Sequence, residues 1–119
     1  MEMQTSKNPQ SEFMKERIAE MYIGLNSKAS KIAGQTGTTG IVYIIEDFRA
    51  DIAEIINLAC FNEKFEKYVE REYRHFLYNT TRGDINRDPI KAKNRTVRFW
   101  RNISRLLRKT NLIVIRDRE

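Results

Sequence analysis

Apolar side chains recur along most of this chain at three- and four-residue spacing, the period of a helix buried on one side. Phe13, Met14, Ile18, Met21, Tyr22 and Leu25 follow that period, with Glu16 and Glu20 on the other face. Ser11, just before them, has the character of a helix N-cap. The period weakens near Asn26 or resumes through Ala29, Ile32 and Ala33. Residues 34–40 read Gly-Gln-Thr-Gly-Thr-Thr-Gly and predict a loop, with Thr38 or Thr39 capping the next helix. That second helix is expected from about Ile41 to Cys60. Ile41, Ile45, Phe48, Ile52, Ile55, Ile56 and Ala59 form its buried stripe, and Glu46, Asp47, Asp51 and Glu54 lie opposite. Its β-branched start admits a short strand, but the continuing spacing favours helix.

Phe61 and Asn62 mark a break, with Asn62 as N-cap of a third helix. Its apolar face is Phe65, Tyr68, Val69, Tyr73, Phe76 and Leu77. Glu63–Lys67 and Glu70–Arg74 are acid-before-base pairs one turn apart, which support a helix modestly. Residues 79–90 read as a polar connection. Asp88-Pro89 then starts a fourth helix, with proline at the first helical position, running to about Lys109. Leu112-Ile113-Val114-Ile115 is a β-type run, and residues 1–10 are polar and aperiodic. The expected architecture is therefore mainly α. It is a single-domain bundle of about four helices over 11–110, with a flexible tail at 1–10 and a short strand or extended arm at 111–119. An exposed strand at 112–115 would be an open edge that favours pairing with a second copy, so an oligomer is expected.

Composition fits that picture. The chain has 119 residues, 40% of them hydrophobic and 32% charged, which suits one globular domain. No apolar run approaches the ~18 residues of a membrane span. The start, Met1-Glu2-Met3-Gln4, lacks a basic segment followed by an apolar one, so an intracellular, cytoplasmic location rather than secretion is expected. Cys60 is the only cysteine, which excludes an internal disulfide and reads as a small core residue.

Charge changes the picture more. The net charge is +6, yet residues 1–80 carry −2 and residues 81–119 carry +8. On a wheel at 100° per residue, Lys91, Arg95, Arg101, Arg105, Arg108 and Lys109 fall within about 80° of Arg98. Phe99, Trp100, Ile103, Leu106 and Leu107 fall between about 80° and 200°. The fourth helix thus has one burying face and one face of seven cations, spread over roughly thirty ångströms. No acid occurs from Pro89 to Thr110.

A row of like charges repels itself unless a polyanion neutralises it. Phosphates do so, and released counterions supply affinity. Five of the seven are arginine, whose planar fork bonds phosphate oxygens in pairs. Asn94 and Asn102 lie beside the stripe as further donors. The expected function is non-enzymatic binding of nucleic acid, DNA or RNA, as an accessory subunit of a nucleoprotein complex or a packaging protein. The alternative is a structural or adaptor protein whose stripe binds an acidic protein or a second copy, with the acids of the second helix as one such partner.

Other signals are weaker. The 34–40 loop carries overlapping G-x-x-G patterns, but it is not a G-x-x-x-x-G-K-[ST] nucleotide loop, and the strands that flank the G-x-x-G clamp of KH RNA-binding modules are not evident. A plain connection is the better expectation. His75 is the only histidine and reads as a surface residue; with one distant cysteine it suggests no zinc site. The second-helix acids suit Mg²⁺ in type, as in a nuclease, but nothing else completes such a centre, so no cofactor, metal or catalytic residue is expected. Tyr68, Tyr73 and Tyr78 are candidates for stacking on bases, with Tyr73 better placed for the core. The order of a helix (64–78), a polar turn (79–90), a basic helix (91–110) and a β-type run (112–116) resembles that of winged helix-turn-helix DNA-binding domains. The resemblance implies a basic helix turned toward DNA. It is architectural and carries no specific motif. The sequence departs from the pattern in lacking a second wing strand before Glu119 and in the length of its basic helix.

Overall fold

In a computed structural model that describes residues 12–60 and 62–110, the described residues form five helices. They are α1 (Glu12–Gly34), α2 (Ile41–Ala59), α3 (Glu63–Asn79), α4 (Arg82–Arg87) and α5 (Pro89–Lys109). The molecule is a mainly α bundle, as the periodicity predicts. The tail at 1–10, the Ser11 cap, Phe61 and the Leu112–Ile115 run lie outside the described residues.

The buried stripes meet in one core. Ile18, Tyr22, Leu25 and Ile32 come from α1, and Ile41, Ile45, Phe48, Ile52 and Ile55 from α2. Phe65, Val69 and Phe76 come from α3, and Phe99, Trp100, Ile103 and Leu107 from α5. Helix α5 packs against all four other helices. Its Ala92, Thr96 and Ser104 are small and buried, and Thr96 and Ser104 return their hydroxyls to the backbone of their own helix. Neither hydroxyl is stranded by that close approach.

One open reading is settled and two local expectations change. First, α1 runs unbroken through Asn26 to Gly34. The polar residues that weaken its pattern have distant partners: Asn26 Oδ1 accepts from Trp100 Nε1 at 2.6 Å, and Lys28 reaches Asp47 and Asp51. Second, neither Thr38 nor Thr39 caps α2. Gly40 takes that position with φ 76°, a left-handed backbone that suits glycine, and no side-chain cap is made. The β-branched start of α2 is helical, since Ile41 and Ile45 are buried on the same face as Phe48. Third, the 79–90 connection contains α4. Thr81 caps it by accepting from the Asp84 amide at 3.2 Å, and Ile85 is fully buried. The Thr81 hydroxyl donates to the Asp84 carboxylate at 2.7 Å and holds that carboxyl below its ordinary pKa, with Arg87 adding to the effect. The segment is therefore not the simple turn of a winged helix-turn-helix order.

Asn62 does cap α3, accepting from the Phe65 amide at 2.9 Å. The other end of α3 is held by Arg49 of α2. Its Nη1 donates to the carbonyls of Leu77 (3.1 Å) and Thr80 (2.9 Å) and to Thr80 Oγ1 (3.1 Å). A cation there satisfies orphan carbonyls and opposes the helix dipole. Thr80 is buried, so water does not readily replace the guanidinium. Arg49→Met is expected to destabilise the fold by about 1.5–3 kcal/mol, the range for hydrogen bonds to charged groups. Urea melts followed by circular dichroism check this, and an unchanged midpoint would contradict the clamp.

Candidate nucleic-acid interface

Asp88 and Pro89 set the start of α5. The Asp88 carboxylate accepts from the Lys91 amide at 3.1 Å, and Pro89 occupies the first turn, where its missing N–H costs nothing. Phe99 then stacks on Phe76 of α3, with ring centroids 4.2 Å apart and planes within 6°. Trp100 packs on Tyr22 of α1 (5.4 Å) and edge-on to Phe48 of α2 (6.1 Å). These two adjacent aromatics fix the rotation of the helix about its axis. They leave the opposite face outward.

Lys91, Arg95, Arg98, Arg101, Arg105, Arg108 and Lys109 are all exposed. None of them takes part in an ion pair or side-chain hydrogen bond among the described residues. Lys93, which lies off the stripe, is half-buried and donates to the Gln35 carbonyl at 2.9 Å, tying α5 to the 34–40 loop. Arg108 and Lys109 occupy the last turn of α5, where cations also suit the helix dipole.

Several cations elsewhere are paired with acids. Arg17 donates to Glu54 at 2.6 Å, Lys28 bonds Asp47 and Asp51, and Arg82 makes a paired contact with Glu46 at 2.7 and 3.0 Å. Hydrogen bonds to Asp47 and then Asp51 raise the Lys28 pKa above its ordinary value. Arg82 also lies 5.8 Å from the centre of the Tyr43 ring. Glu46, Asp47, Asp51 and Glu54 of the α2 face are thus each engaged by a cation of their own chain.

The stripe borders two grooves. On one side Arg101 lines a shallow groove with Asn26, Ala29 and Ser30 of α1. On the other, a larger open groove of about 820 Å³ runs between α3 and α5. Asn102, Arg105 and Lys109 form its α5 wall, and Lys64, Tyr68, Arg71 and His75 line it from α3. It continues past His75 and Asn79 to Arg95 and Arg98. Glu72 is the carboxylate along its length. Asn102 therefore stands inside the groove.

The α3 wall was not apparent from charge alone. Lys64, Tyr68, Arg71 and His75 are spaced by four, three and four, so they form one row on α3. That row is readable in sequence, but its position beside α5 follows from the packing of Phe76 and Tyr73 on Phe99. Tyr68 is expected on the apolar face yet is 63% exposed, and Tyr78 is 81% exposed. Tyr73 is half-buried and packs at 6.3 Å from Phe99, as its place on the core stripe predicts.

Other candidates stay separate from this surface. Cys60 is half-buried against the core, and burial, with Glu66 adding, pushes its thiol pKa up. Among the described residues no group of three or more His, Cys, Asp or Glu side chains converges as a metal site. No helix among them is long and apolar enough to cross a membrane. Comparison with protein-family models, with curated proteins and with solved structures finds no match to this chain.

Proposed function

We propose that this protein binds nucleic acid, without chemistry of its own, through phosphate contacts along α5. The observation that carries the reading is the unpartnered row of Lys91, Arg95, Arg98, Arg101, Arg105, Arg108 and Lys109 on a helix whose other face is locked into the core. In the same chain, Arg17, Lys28 and Arg82 are each paired with α2 acids. Seven like charges left on one face gain most from a ligand that is itself a row of negative charges. The stripe from Lys91 to Lys109 spans about 27 Å of helix, enough to follow several successive phosphates. A setting inside the cell, as part of a nucleoprotein complex or a packaging assembly, fits this reading.

Phosphates lie on every sequence, so affinity is expected to depend steeply on salt and little on base order. Fluorescence anisotropy with labelled duplex DNA across a salt series tests this. Six or so contacts predict a slope of log K against log salt near −5, or about a 10³-fold loss between ~50 and ~200 mM. Absence of binding at low salt, or affinity indifferent to salt, would sink the proposal. Tight binding to an acidic protein in place of nucleic acid would move the stripe to the adaptor reading.

A further inference from the structure

We infer that the groove between α3 and α5 is a subsite for an unpaired segment of polynucleotide, with a base stacked on Tyr68. The inference rests on the proposed nucleic-acid reading and adds to it the form of nucleic acid preferred.

Three observations support it. The groove has cations on both walls, Lys64 and Arg71 from α3 and Arg105 and Lys109 from α5, against the single carboxylate Glu72. A strand lying along it meets positive charge on both sides, whereas a surface on one helix face offers it on one. Secondly, Tyr68 sits in the same row as Lys64 and Arg71, and its side chain is largely open to solvent. An exposed ring between two phosphate-binding cations is the arrangement that single-strand binders use, because every base has a face to stack and every linkage carries a charge. Thirdly, Asn102 and His75 also line the groove and present polar atoms that a base edge can engage. Bases of a duplex are stacked on each other and cannot reach a ring set in a groove between helices. The outer cations, Arg101 and Arg108 among them, remain available to the phosphates of either form.

The division of labour predicts different effects for ring and charge. Tyr68→Ala is expected to lower affinity for a short labelled single strand by roughly tenfold or more, from the loss of one base stack. It should leave affinity for the duplex of the same sequence within about twofold, since phosphate contacts position without stacking. Tyr68→Phe keeps the ring and should bind the single strand like the native protein. The exposure of Tyr68 argues against loss of fold as the cause, and thermal melting of each variant checks it. Anisotropy titrations of the native, Tyr68→Ala and Tyr68→Phe proteins against both probes decide the matter. An equal effect of Tyr68→Ala on both probes, or no effect on either, overturns the groove inference and leaves the phosphate reading standing. Failure of the native protein to bind either probe at low salt overturns both.

Discussion

Replacing Arg98, Arg101 and Arg105 together by glutamate is expected to weaken nucleic-acid binding by at least ~10²-fold near ~0.1 M salt. Each phosphate contact contributes about 0.9 to the salt slope. Three contacts therefore account for about 2.7 log units between ~1 M salt, where the effect fades, and a tenfold lower concentration. Reversal of sign adds repulsion to that loss. The fold should not suffer, because all three side chains are exposed and none has a partner among the described residues. Relief of repulsion along the stripe, and a new acid-before-base pair from position 105 to Lys109, should keep the melting temperature at or above the native value. Retained affinity with a native melting curve would show that phosphates meet the protein elsewhere.

At Trp100, one residue before Arg101, the expectation reverses. Trp100→Ala should destabilise the protein by about 3–5 kcal/mol, the cost of emptying a large aromatic site in a packed core. Trp100 is buried against Tyr22 and Phe48, and its indole N–H donates to Asn26. The loss is felt by three helices at once, since α1 and α2 both lean on the same ring of α5. Small domains hold about 5–15 kcal/mol in all, so the melting temperature should fall by about 10–25 °C. Circular dichroism reads the transition without needing the lost fluorophore. A fall of only a few degrees would mean that α5 is not docked through this ring. Binding by whatever fraction remains folded should be native-like, which separates the docking face from the cation face.

The contrast between Trp100 and Arg101 was legible in sequence because a helix converts spacing into faces. The apolar residues of α2 and α5 fell where their periods put them, and the Asp88-Pro89 and Asn62 starts came from capping chemistry. What could not be read were features decided by distant partners. Periodicity left the stretch after Asn26 open between fading and resuming, because its polar residues have distant partners: Asn26 meets Trp100 and Lys28 meets α2. Helix α4 was hidden by the polar character of 79–90. Its signals are small: a Thr81 cap three residues before Asp84, and one apolar residue, Ile85, that proves buried. The stripe itself was legible in full, since each cation lies on the exposed face the wheel assigns to it. The groove was not, because the α3 row gains meaning only when α5 lies beside it. Pairing of the α2 acids with Arg17, Lys28 and Arg82 was equally invisible, because those cations are distant in sequence.

The cation face of α5 is the surface on which the proposed function turns. The most direct test is the salt slope of duplex binding, measured side by side for the native protein and the Arg98→Glu, Arg101→Glu, Arg105→Glu variant. The slope counts the phosphates engaged, whatever the absolute affinity. Binding through the stripe predicts a variant slope shallower than the native one by about 2.7 or more. Two parallel lines, equally steep, would contradict it.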